Sequence, residues 1–172
     1  MKNFHNKLKK CNFIKMNNIF VRKLHDYSMD ITTLHRAYES GQLLPTQVVE
    51  RSYQRIRKDK ASWTFPLPLN HVMAKAQRLD EDLKKTREQG KDFKDLLAKY
   101  PLFGIPFGAK DNLDVAGFPT TAACPAYSRT PWVSNPVIDQ CKNAGAILMG
   151  KQNMDQFAAG LVGVRSPYGI PG

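Results

Sequence analysis

Asn135 to Met149 reads NPVIDQCKNAGAILM, a helix followed at once by a buried strand. Asn135 is a capping residue and Pro136 fits the first helical position, where its missing N–H costs nothing. Val137, Cys141 and Ala144 recur at helical spacing as the expected buried face, and Gly145 is the stop. Ala146 to Met149 is then a short apolar run of the kind found in strands covered on both sides. Upstream, Leu102 to Ala109 is apolar, with Pro106 and two glycines, and suits a strand at the inner edge of a site. Strand, helix and apolar strand in that order predict an α/β fold with a parallel component.

Further upstream the pattern is helical. Ile31, Leu34 and Tyr38 share one face, with Ser28 or Asp30 as cap and Gly41 as terminator. After Pro45 and Thr46, Val49, Tyr53 and Ile56 define a second helix. KDKASWTFPLPLN, residues 58–70, reads as a connection, because Pro66 and Pro68 exclude a helix interior. Asn70 can cap a long helix that buries Val72, Ala76, Leu79 and Leu83 and ends near Gly90. Residues 91–100 fit a short helix closed by Pro101. There are no internal repeats.

Length and composition agree with a globular unit: 172 residues, 42% of them hydrophobic, can bury a core without disulfides or metals. Cys11, Cys124 and Cys141 are odd in number and widely spaced, with no zinc pattern, which fits a reducing, cytoplasmic setting. The net charge of +11 is uneven: seven Lys or Arg against one Asp put +6 of it in residues 1–28. The remaining +5 is a solvated surface rather than a nucleic-acid footprint. Residues 1–28 lack the apolar core of a secretory signal or membrane span and read as a basic, disordered, dispensable tail, with Met16 and Met29 as alternative starts. Residues 29–172 then form the folded part.

GAILMGKQ, residues 145–152, imitates the phosphate-binding pattern G-x-x-x-x-G-K-[ST]. The match fails physically: a phosphate cradle is a loop with a hydroxyl for magnesium, whereas Ala146 to Met149 want to be strand and Gln152 has no hydroxyl. The G-x-G-x-x-G pattern is absent as well. Neither metal nor nucleotide cofactor is implied.

One lysine, Lys110, ends an otherwise uncharged stretch that begins at Pro101. At its reference pKa a lysine is neutral in only ~1 molecule in 2,500 at pH 7, so it is a poor base unless burial helps. Ile105, Phe107 and Ala109 could supply that burial. From spacing alone the plainer reading is favoured, a strand-end ion pair between Lys110 and Asp111.

GIPFGAKDNLDVAGFPTT, followed by AGAILMGKQNMDQFAAG and SPYG, resembles the amidase-signature family in order and spacing. LDVAGFPTTAACPAY with NMDQFAAGLVGVRSPYG is most similar to its allophanate hydrolases, and the helical part from about residue 30 agrees more weakly. The resemblance implies a mixed sheet with helices on both faces, and catalysis by a serine, a second serine with a cis peptide bond, and a lysine. Lys110 matches the lysine and is the expected general base, taking a proton through the bridging serine so that the nucleophilic serine attacks an amide carbonyl.

The family's serines lie in a Gly/Ser-rich GGSSSGS-type segment that no part of residues 1–172 matches. The expectation is therefore the N-terminal portion of one amidase domain. By itself it is inactive, and a small amide is its substrate only when a further segment, in the extreme a second fragment in trans, completes it. The alternatives are a non-catalytic remnant, and a piece of a general amidase or transamidosome glutaminase subunit. No nucleic-acid or membrane partner is expected. Ser128, Ser134 and Ser166 read as turn or capping residues, and Cys124 as packing. Asn153, Asp155 and Gln156 read as the polar entry to a helix, with Met154 and Phe157 packed inward.

Overall fold

A computed structural model describes residues 28–171. The tail expected over residues 1–28 lies outside the described residues except for Ser28, as do Cys11, His5 and His25.

The chain begins with α1 (Ile31–Glu39), whose N-terminus is capped by Asp30 accepting from Thr33 N at 2.8 Å. Leu34 and Tyr38 are fully buried, as their spacing requires. α2 (Pro45–Lys58) starts on a proline and buries Val48, Val49 and Ile56. A 3-10 turn (Lys60–Ser62) leads to β1 (Trp63–Pro66). This strand lies in the stretch expected to be a plain connection.

α3 (Leu69–Glu88) packs on α2 through Val72, Ala76, Leu79 and Leu83, the four residues its periodicity singles out. Its N-cap is Pro68, not Asn70, which lies one residue inside the helix. The short α4 (Phe93–Lys99) begins with a capping box of Asp92 and Asp95. β2 (Pro106–Lys110), α5 (Pro136–Asn143) and β3 (Ile147–Gln152) then form the strand–helix–strand unit. The phase of α5 differs from expectation: Ile138 is buried, while Val137 is half exposed. Asn135 does cap it, accepting from Val137 N at 3.0 Å.

The sheet has the order β1-β3-β2, with β1 antiparallel and β2 parallel to the central β3. β3 is buried from Ile147 to Lys151. The fold class is therefore mixed α/β. Gly150 lies inside β3, so the phosphate-loop imitation is strand. A Cβ there would stand 2.6 Å from the Phe65 carbonyl oxygen of β1, which only glycine avoids. Gly104 has φ +70°, and its neighbour across the core is the Tyr38 ring, 2.8 Å from where a Cβ would be. The Tyr38 hydroxyl donates to the Gly104 carbonyl at 2.9 Å, tying α1 to the entry of β2. No helix among the described residues is long and apolar enough to cross a membrane.

Candidate active site

Lys110 is the last residue of β2, and its side chain is exposed. Neither expectation for it from spacing holds. Ile105, Phe107 and Ala109 do not bury it, because side chains alternate along a strand and the inward neighbour is Ala109, 1% exposed. Nor does it pair with Asp111. That carboxylate turns inward to Lys151, whose Nζ lies 3.2 Å from Oδ1, with both side chains fully buried.

The parallel pairing explains the choice of partner. Ala109 is opposite Lys151 and Lys110 opposite Gln152, and the strand pair continues with Asp111 N donating to Gln152 O at 3.0 Å. Asp111 and Lys151 thus meet at the end of the β2–β3 seam. Lys151 Nζ also donates to Thr120 Oγ1 at 2.9 Å and to the Pro119 carbonyl at 3.2 Å. Two hydrogen bonds and one ion pair thus hold the ammonium. Burial pulls the Lys151 pKa down, and Asp111 beside it opposes that pull.

Asp111 is held from its other side. Its Oδ2 accepts from the Thr121 hydroxyl and, at 3.4 Å, from Ala123 N. Ala122 and Ala123 both have positive φ, 49° and 55°, an uncommon conformation for residues with a Cβ. It curls the Thr120–Ala123 backbone around the carboxylate. The Tyr168 hydroxyl donates to Thr121 Oγ1 at 3.2 Å. PTTAAC and MGKQN therefore meet AKDN at Asp111, and SPYG joins them through Thr121.

The approach to that centre is ordered by Asn153 and Asp155. Asn153 Nδ2 donates to the carbonyls of Ala61 (2.7 Å) and Gly169 (3.1 Å), and its Oδ1 accepts from Ser166 Oγ at 2.6 Å. Asp155 is 5% exposed and gathers the N–H groups of Val162, Gly163 and Arg165 at 3.2, 2.9 and 2.8 Å. Hydrogen bonding to the charged form, from Arg165 N first, holds its carboxyl below the usual range.

The expected helix entry at these residues is instead a 3-10 turn, Gln156–Ala158, after which the chain loops back. Met154 is buried as expected, but Phe157 is not packed inward: it is 57% exposed, with φ 51°. It meets the Tyr127 ring edge-on at 5.4 Å beside a depression of about 340 Å³ that Asn112, Thr120 and Arg129 also line. Arg129 is fixed there by Asp114 at 2.8 Å.

The three serines act as turn residues. Ser134 Oγ accepts from Ala116 N at 3.0 Å, Ser166 Oγ accepts from Tyr168 N at 3.2 Å, and Ser128 ends the 3-10 turn Pro125–Tyr127. Cys124 is a free, half-buried cysteine. Among the described residues no group of three or more His, Cys, Asp or Glu is arranged to hold a metal ion.

Sequence reasoning placed Lys110 correctly at a strand end but missed Lys151, Thr120 and Thr121 as a connected set. The available signal was a lysine inside a strand buried on both faces, which demands a buried counter-charge.

Comparison with known proteins agrees with the fold. The Amidase family model matches residues 47–171. The urea amidolyase of Saccharomyces cerevisiae is 58% identical over 69 residues, 40% of this chain and 4% of that protein. A glutamyl-tRNA(Gln) amidotransferase subunit of Geobacillus stearothermophilus is 35% identical over 140 residues, 80% of this chain and 26% of that protein. The crystal structure of Kluyveromyces lactis allophanate hydrolase superposes with a TM-score of 0.57 at 34% identity, covering 78% of this chain and 21% of that one. The chain thus spans a minor part of the length of each relative. With most of its residues inside the family model and its fold shared with an allophanate hydrolase, this chain belongs to the amidase family.

Proposed function

We propose that residues 29–172 supply the lysine part of a serine-dependent amide-hydrolysing centre of the allophanate hydrolase kind, with Lys110 as its general base. The observation that carries the reading is the contrast at the end of the β2–β3 seam. Lys151 is buried, with two hydrogen bonds and an ion pair to Asp111, whereas Lys110 is exposed and joined to no carboxylate among the described residues. A base must reach a reacting group, and of these two lysines Lys110 has that freedom.

The serines come from sequence other than residues 1–172, in the same polypeptide or as a second fragment in trans. Packed over Lys110, that segment would remove water from the ammonium and favour the uncharged form a base requires. The neutral amine would then take a proton through the bridging serine, the nucleophilic serine would attack the amide carbonyl, ammonia would leave, and water would release the acid.

The allophanate reading is supported by the 58% identity to urea amidolyase over 69 residues. The longer but weaker likeness to a glutamyl-tRNA(Gln) amidotransferase favours the second reading, a general amidase or part of an amidotransferase. The test is ammonia release from allophanate and from glutamine, by the chain alone and after mixing with a serine-bearing amidase segment. Release from allophanate only in the mixture, abolished by Lys110→Ala, is the expected result. Release by the chain alone, or by the mixture regardless of Lys110, would refute the assignment. Release from glutamine in preference to allophanate would favour the second reading.

A further inference from the structure

Away from the β2–β3 seam, α3 and α5 border a cleft of about 520 Å³, within the range of small-molecule pockets. Its lining includes Leu67 and Ile147 and Leu148 of β3, and Phe118 from the loop after β2. The rest of the lining is unusual in charge. His71, Lys75 and Arg78 lie at i, i+4 and i+7 on one face of α3, and Lys142 approaches from α5. Among the described residues, no carboxylate lines the cleft.

Lys142 has a neighbour in Asp139, 3.4 Å away on its own helix. Lys75 is half-buried and Arg78 exposed, and neither takes part in an ion pair among the described residues. Like charges stacked along one face of α3 weaken a helix slightly by themselves. Over an apolar floor they leave a positive field that Asp139, beside Lys142, offsets only in part. His71 packs edge-on against Phe118 with ring centroids 5.7 Å apart, which fixes one wall.

We propose that this cleft binds a small organic anion. The carboxylate or phosphate is held by Lys75 and Arg78, with Lys142 nearby, and the apolar body rests on Leu67, Ile147 and Phe118. The site shares no residue with the Lys110–Asp111–Lys151 centre, so it stands or falls independently of the catalytic reading. Lys supplies a point charge and Arg a planar fork, a pair that accepts either oxyanion.

The test uses the full chain and fluorine NMR of four probes: 4-fluorobenzoate, 4-fluorophenyl phosphate, neutral 4-fluorobenzyl alcohol, and inorganic phosphate as a competitor. Both aromatic anions should bind at one shared site and weaken as salt rises. Lys75→Gln and Arg78→Gln should each weaken them about tenfold or more, whereas Lys84→Gln, which removes a charge outside the cleft, should not. The tighter of the two anions identifies the headgroup. Unchanged helicity and melting temperature in the variants exclude unfolding as the cause. The proposal is overturned if the alcohol binds as tightly as the benzoate, if the Lys75 and Arg78 variants bind like the parent, or if inorganic phosphate alone matches phenyl phosphate.

Discussion

Lys151 stands opposite Ala109, one register step from Lys110, on the neighbouring parallel strand. One ammonium is sealed in the interior against Asp111 and the other projects into solvent. Strand alternation produces this division: Ala109 and Asp111 face inward, and Lys110, between them, faces out.

The two lysines should therefore respond oppositely to substitution. Lys151→Ala leaves Asp111 charged and unpaired in the interior and should cost about 3–5 kcal/mol of folding stability. Asp111→Ala should cost a similar amount, whereas Lys110→Ala should stay within about 0.5 kcal/mol. Urea unfolding curves check all three, and a Lys151→Ala variant as stable as the parent would show that the buried pair is not held as described.

Competitive acylation followed by mass spectrometry should separate the same residues chemically. Lys110 should react at the rate of ordinary surface lysines. Lys151 should remain unmodified until the protein unfolds, because its nitrogen is buried, hydrogen-bonded and ion-paired. Equal labelling under native conditions would contradict the assignment.

Acid should loosen two places that are held by carboxylates. Asp155 is held below its normal pKa by the N–H groups of Arg165, Gly163 and Val162, and Asp30 is lowered to about 2 by its hydrogen bonds to Thr33. For a carboxylate lowered on folding, the stabilisation is complete above the unfolded value, about 3.9, and disappears as pH falls through the folded one. Hydrogen exchange should show the 160–165 loop and the first turn of α1 opening as pH falls below about 4. Asp155→Asn should open the 160–165 loop at neutral pH.

The contact of Tyr38 with Gly104 predicts a graded pair of effects. Tyr38→Phe removes one buried hydrogen bond and should cost about 1 kcal/mol. Gly104→Ala adds a Cβ 2.8 Å from the Tyr38 ring at a left-handed backbone position and should cost more, about 2–4 kcal/mol. Thermal melts rank the two, and the reverse order would place the strain elsewhere.

The helices and the strand–helix–strand unit were legible because their signals are local. Asp30, Pro136 and Asn135 mark helix starts, and the four buried residues of α3 have clean periodicity. β1 was hidden by its own chemistry. Pro66 cannot donate to a ladder, so it suggests a loop, but β1 is an edge strand of four residues, where such a residue is tolerated. The phase of α5 was misread because Val137 and Ile138 are equally apolar, and only the position of β3 selects Ile138. The same limit applies at the site. Lys110 was singled out by its position in a motif, but the partner of Asp111 depends on strand register, and a register is a relation between distant segments.

That dependence has a kinetic consequence. Lys151 contacts Thr120 across 31 positions of sequence, and Tyr168 contacts Thr121 across 47. Each closure spends loop entropy before any contact rewards it. α1, α2 and α3 can form from near neighbours, but the Asp111 centre cannot assemble until α5 has crossed over and β3 has aligned with β2. In stopped-flow refolding, helical signal should precede protection of the β3 amides and of the Ala122 amide, which donates to the Asp111 carbonyl, so that the chemical centre is the last part of the molecule to become native.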